Sequence, residues 1–179
     1  PPPAAYGSRS TQMVFIANPT PHRRDILRGI TSPVALHGPG WGRQDRLTGH
    51  EIKGGRIAAR RVSSILAQHR AALNIQNEFN VISGLNQRNF QPCLAGATLI
   101  TDDQPDVARC FTPGAEVLVF RSADEASALY DRVRGDVNFG ATVAGRGRDR
   151  VLAHHTFAHR LKAITAAVGE SRRPASGSR

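Results

Sequence analysis

The stretch Gly84-Leu85-Asn86-Gln87-Arg88-Asn89-Phe90-Gln91-Pro92-Cys93-Leu94-Ala95-Gly96-Ala97-Thr98-Leu99-Ile100-Thr101-Asp102 decides the fold. It runs from a glycine turn through a polar helix start and an apolar helix back to a second glycine and a strand of the buried type. Asn86, Gln87, Arg88 and Asn89 bring hydrogen-bond donors to the start of a helix expected over Gln87 to Ala95. There, free backbone N–H groups and the helix dipole favour an anion. Phe90, Leu94 and Ala95 are placed to face a core. The stretch therefore reads as a loop and helix that hold an anion such as phosphate and feed a parallel strand.

Outward from it, short apolar runs rich in β-branched residues alternate with segments of helical period, the pattern of βαβ units. Five strands are expected: Met13 to Ala17, Val34 to His37, Ala72 to Ile75, Thr98 to Thr101 and Val117 to Phe120. Helices are expected over Arg23 to Ile30, Ile57 to His69, Gln87 to Ala95 and Asp124 to Arg134, with a short turn near Pro105 to Cys110. Phe139 to Ala167 reads as two helices broken near His154 to Thr156. The fold class is α/β: a Rossmann-like parallel sheet of about five strands flanked by helices, with a C-terminal helical segment. By composition, residues 1–11 form a flexible linker, 12–168 the domain and 169–179 a disordered tail.

At 179 residues the chain fits one compact domain. No apolar run approaches the roughly 20 residues that cross a bilayer, and the start lacks the charged-then-apolar order of a secretory signal, so a cytoplasmic location is expected. Cys93 and Cys110 have no partner at metal-ligand spacing and read as free core thiols. His154, His155 and His159 lack the Glu of a zinc helix, and Asp102-Asp103 is not an Asp-x-Asp pair, so no metal is expected. The net charge of +10 could serve nucleic acid, an anionic surface or a phosphorylated ligand. The charge is nearly all arginine, however, spread along the chain with few aromatics between, which disfavours single-strand binding.

In a sheet of this kind the loops after the strands gather along one edge, where ligands sit. The polar clusters obey that rule. Asn18, His22, Arg23 and Arg24 follow the first strand, and Gly38, Gly40, Trp41 and Gly42 follow the second. Arg88 is the first choice for gripping a phosphate, the alternative being a surface arginine that crosses a neighbouring loop. Asn86 and Asn89 read equally as loop caps. His22 either positions a reacting group or is a first-turn residue, and Trp41 either stacks on a ligand or packs over its loop. Gly38 and Gly40 let the backbone approach a ligand or simply make a turn. Asp102 either touches a ligand hydroxyl or caps the turn at Pro105.

In order and spacing, five of these segments resemble the C-terminal half of CgeB-type glycosyltransferases, bacterial enzymes of the two-domain GT-B architecture. They are Phe15-Ile16-Ala17-Asn18-Pro19-Thr20-Pro21-His22-Arg23-Arg24, Leu36-His37-Gly38-Pro39-Gly40-Trp41-Gly42, Leu73-Asn74-Ile75, Gly84 to Asp102, and Phe111-Thr112-Pro113-Gly114-Ala115-Glu116-Val117. The segment His155-Thr156-Phe157-Ala158-His159-Arg160 closes the match, which spans about residues 12–168.

The resemblance implies a domain that binds a UDP- or GDP-sugar donor, needs no other cofactor, and works with an N-terminal domain that holds an acceptor of unknown identity. It implies catalytic roles for His22 and Arg88. Donor contacts would come from Asn18, Arg23, Arg24, Gly38, Gly40, Trp41, Asn86, Gln87, Asn89 and Gln91. Gln91 stands where related enzymes carry a ribose-binding glutamate, and Ser83 stands where the wider superfamily has a second one. Two other readings compete: a basic nucleic-acid-binding module, and a non-catalytic remnant or interaction domain.

Overall fold

The computed structural model describes residues 5–45, 47–79 and 84–171. Six parallel strands form one sheet: β1 (Met13–Ile16), β2 (Val34–His37), β3 (Glu51–Gly54), β4 (Ala71–Asn74), β5 (Thr98–Asp102) and β6 (Leu118–Phe120). Their order is β3-β2-β1-β4-β5-β6. The central strands are buried on both faces, which is why they read as unbroken apolar runs. Phe15 stands in register with Leu36 on one side and Leu73 on the other.

Alternation along β1 assigns its neighbours. Met13 and Phe15 join the core cluster of Leu27, Ile30, Tyr130 and Val133, whereas Val14 joins Leu66, Ala72 and Ala97. One face is thus covered by α1 (Pro21–Gly29) and α5 (Ala123–Gly135), the other by α2 (Ala59–Leu66). Near β5 a third cluster joins Phe90, Cys93, Leu99, Phe111 and Val151. Burial pushes the Cys93 thiol up to about 12, so it behaves as a core side chain.

Three local features depart from the expected pattern. The sheet gains β3, which pairs only with β2 and exposes Glu51, Ile52 and Lys53, a charged edge strand. The single helix expected over Gln87 to Ala95 is instead a 3-10 turn (Gln87–Asn89) followed by α3 (Gln91–Leu94). A continuous helix would need an N–H at Pro92 to reach Arg88, and proline has none. Residues 5–11, read from composition as linker, include a 3-10 turn at Tyr6–Ser8. There the Tyr6 hydroxyl lies 2.6 Å from Thr98 Oγ1. Since the Thr98 proton goes to the Gly140 carbonyl at 2.9 Å, Tyr6 is the donor.

After β5 come α4 (Val107–Cys110) and, beyond α5, α6 (Val137–His154) and α7 (Phe157–Ser171). The break between the last two falls in the expected place. Phe157, Leu161, Ile164 and Val168 on α7 are exposed at spacings of three and four, an apolar stripe with no partner among the described residues. No helix among them is long and apolar enough to cross a membrane.

Candidate functional site

A cleft of about 480 Å³ opens at the carboxyl ends of the strands on the α2–α3 side. Ile16, Ala17 and Asn18 leave β1, and Gly38 and Pro39 leave β2. The opposite bank is the 3-10 turn and the start of α3, with Asn86, Gln87, Arg88, Gln91 and Pro92. Ile57, Val62, Leu66 and Leu73 form an apolar wall, and Arg56 adds a second cation.

Arg88 is exposed, and its Nε–H donates to the Ile16 carbonyl at 3.0 Å. That bond lays the side chain across from the turn to the end of β1, leaving the outer guanidinium nitrogens in no ion pair among the described residues. The turn itself is closed by side chains. Asn86 Oδ1 accepts the Arg88 N–H at 2.8 Å, and Asn89 Oδ1 accepts the Asn86 N–H at 3.2 Å. These are reciprocal caps. They occupy two of the backbone donors that the sequence offers to an anion, the Asn86 and Arg88 N–H groups.

Of the residues expected to form the site, Asn18, Gly38, Asn86, Gln87, Arg88 and Gln91 line the cleft. The others do not line it, and each has a physical reason. Arg23 is 1% exposed and lies over the Phe15 ring. Its Nε and Nη2 donate to the Ile75 carbonyl at 3.0 and 2.9 Å, and its Nη1 donates to the Asn18 carbonyl at 3.0 Å. Burial, and then the charge of Arg88, bring its pKa down to about 10, still a cation at neutral pH. Arg23 pins the ends of β1 and β4 from beneath.

Arg24 is paired with the buried Asp45. Trp41 is 7% exposed and donates its indole N–H to the Ala17 carbonyl at 2.6 Å, so it packs under the loop. Gly40 lies beside the Pro19 ring, away from the lining. Asn89 is fully buried. His22 is exposed on the first turn of α1, with its N–H 3.4 Å from Glu78 Oε1. The other Glu78 oxygen accepts from the Thr20 hydroxyl at 3.0 Å. A carboxylate of the chain thus covers the N-terminus of α1, the place an anionic ligand would otherwise take.

Asp45 yields a pH prediction. Burial pushes its carboxyl up, but the Arg24 guanidinium and the Gly42 N–H outweigh burial and hold it below the ordinary carboxylate value. A depressed folded-state pKa gives stability that is complete above the unfolded value of about 3.9 and is lost as pH falls through the folded value. Asp45→Asn is therefore expected to flatten the acid limb of a Tm-against-pH curve below about pH 4, as read by circular dichroism. An unchanged acid limb contradicts this role.

Arg56 and Ile57 line the cleft although the sequence does not single them out as site residues. The signal was present in Gly54 and Gly55, both at positive φ, which end β3 and turn the chain back over the cleft. Ser83 lies outside the described residues. Among the described residues no group of three or more His, Cys, Asp or Glu is placed to hold a metal ion.

Known proteins agree with this architecture. Among solved structures, Anabaena HepE in complex with UDP superposes with a TM-score of 0.71 at 12% identity, covering 90% of this chain and 50% of that one. The C-terminal domain of LpcC, a group 1 glycosyl transferase family protein from Francisella tularensis, gives 0.65 at 10% identity, covering 83% and 88%. Sucrose-phosphate synthase from Thermosynechococcus elongatus gives 0.68 at 12% identity, covering 89% and 46%. The chain thus spans about half the length of HepE and of the synthase. At these identities the likeness establishes the fold, that of GT-B C-terminal domains. No curated protein matches the sequence. The family described as glycosyl transferase-like matches residues 20–166, nearly the whole folded region, and the chain therefore belongs to that family.

Proposed function

We propose that the cleft binds the nucleoside diphosphate part of a sugar donor, as the donor half of a glycosyltransferase of the CgeB type. The observation that carries this reading is Arg88, whose outer guanidinium nitrogens are left in no ion pair among the described residues, at a mouth shared with Asn18, Asn86 and Gln87. Paired, charge-assisted hydrogen bonds from such a group suit a diphosphate. As the sugar leaves, charge accumulates on the diphosphate, and a cation already held there lowers the barrier.

In this reading the nucleoside lies along Ile57, Val62 and Leu66, and Gln91 accepts from the ribose hydroxyls. The UDP-bound state of HepE supports the assignment by analogy of fold. UDP- and GDP-sugars are the candidate donors, and a hexose the candidate sugar. The acceptor would be held by an N-terminal domain, to which the apolar stripe of α7 offers a surface. The setting is the cytoplasm, where nucleotide sugars are at hand. Turnover by this chain alone should be slight, because transfer needs both reactants held together.

Calorimetric titration of the chain with UDP, GDP and a short DNA duplex tests the reading. Saturable one-site binding of UDP or GDP is expected. Binding of the duplex alone, steeply weakened by salt, would instead support the reading from net charge.

A further inference from the structure

Directly beneath the 3-10 turn lies a polar relay that no ligand in the cleft can touch. Asn89, Thr101 and Asn74 are 0, 0 and 1% exposed. The amide groups of Asn89 and Asn74 both donate to Thr101 Oγ1, at 3.3 and 3.2 Å. The Thr101 hydroxyl donates onward to Asp102 Oδ1 at 3.2 Å. A hydroxyl has two lone pairs and one proton, so this arrangement saturates Thr101, and neither an apolar nor an amide side chain could replace it.

The relay returns to the turn by a second route. Asp102 Oδ2 accepts the Gln76 N–H at 2.9 Å, and Gln76 Oε1 accepts from Asn86 Nδ2 at 3.3 Å. Asn86 is therefore held from below through Asn89 and from the side through Gln76, and both routes end on Asp102. Buried polar groups cost desolvation that an apolar core would avoid, and what they give in return is a single fixed geometry. The turn they fix carries Asn86 and Arg88.

We propose that Thr101 and Asn89, backed by Asp102, are positioning residues that hold the Asn86–Arg88 turn ready for the diphosphate. This rests on the donor-binding reading above. Without the relay the turn loosens, and the ligand must order it on binding. The loss then falls on contacts to phosphate and spares contacts to the nucleoside.

The experiment compares UDP with uridine, which lacks the phosphates, on the wild-type chain, Thr101→Val, Thr101→Ser and Arg88→Ala, with melting temperatures recorded for each. Thr101→Val is expected to weaken UDP about tenfold while uridine stays within about twofold, and Thr101→Ser is expected to restore UDP binding. Should Thr101→Val fail to fold, Gln76→Met, at a half-buried position, removes the side route together with the Gln76 Nε2 bond to the Gly84 carbonyl, leaves the route through Asn89 in place, and is expected to show a smaller loss confined to UDP. UDP and uridine weakening in parallel, or UDP unaffected, overturns the proposal. The reading beneath it fails separately: a wild-type chain that ignores UDP, or UDP binding indifferent to Arg88→Ala, sinks the donor site itself.

Discussion

Arg88→Ala is expected to weaken UDP binding by about 10- to 100-fold, the effect of losing hydrogen bonds to a charged group worth about 1.5–3 kcal/mol. The change should leave folding nearly intact. Arg88 is exposed, and its bond to the Ile16 carbonyl lies at the surface, where water replaces it. Its loss also removes a positive charge that lowers the pKa of the buried Arg23, so the fold is not asked to compensate for a stranded charge. Titration with UDP beside a thermal melt checks both points. Unchanged affinity, or a collapse of Tm in step with affinity, contradicts the role given to this residue.

Gly38→Ala is expected to have the largest effect on stability. Gly38 sits at φ +130°, a backbone conformation open to glycine and strained for other residues. A Cβ there would run into the Ala17 carbonyl oxygen and lie 2.8 Å from its carbon. That carbonyl cannot move away cheaply, because it accepts the Trp41 indole N–H, and the Ala17 N–H is bonded to His37 at 2.9 Å. The close approach of the β1 and β2 loops thus requires the missing side chain. A loss of about 3 kcal/mol is expected from the strained conformation and displaced backbone. For a chain of this size that lowers Tm by about 6–12 °C. UDP affinity should fall with it, since Gly38 lines the cleft. Gly145→Ala provides the contrast. A Cβ there meets nothing within 4 Å on helix α6, and a gain of about 0.5–1 kcal/mol is expected. Equal melting temperatures for the two variants would refute the argument from backbone approach.

Much of the fold is legible in the sequence because parallel strands buried on both faces must be apolar throughout. Met13-Val14-Phe15-Ile16 and Thr98-Leu99-Ile100 announce themselves for that reason. Glu51-Ile52-Lys53-Gly54 does not, since an edge strand pairs on one side and keeps its charges in water. With β3 unseen, the turn that leads from it to the cleft is unseen too, and Arg56 and Ile57 lose their place at the site.

The site is legible where position alone places a residue at the cleft. Asn18 and Gly38 follow strands, and strand ends converge. It fails where a side chain has a stronger claim elsewhere. Arg23 looks free for a ligand in the sequence, but the carbonyls of Ile75 and Asn18 need donors at the ends of their strands, and a buried guanidinium supplies them. Asp45 lies 21 residues from Arg24, and no local pattern shows that the two meet. Pro92 is the signal that was there to be used, as it rules out the long helix and with it the bare helix N-terminus.

A crystal structure of the chain with UDP bound is the sharpest check on the donor site. The diphosphate is expected within hydrogen-bond distance of the Arg88 guanidinium, with the uridine along Ile57 and Val62. UDP found against the N-terminus of α1, where Glu78 now lies, or in a second groove lined by Leu85, Leu94, His155 and Phe157, would overturn this placement.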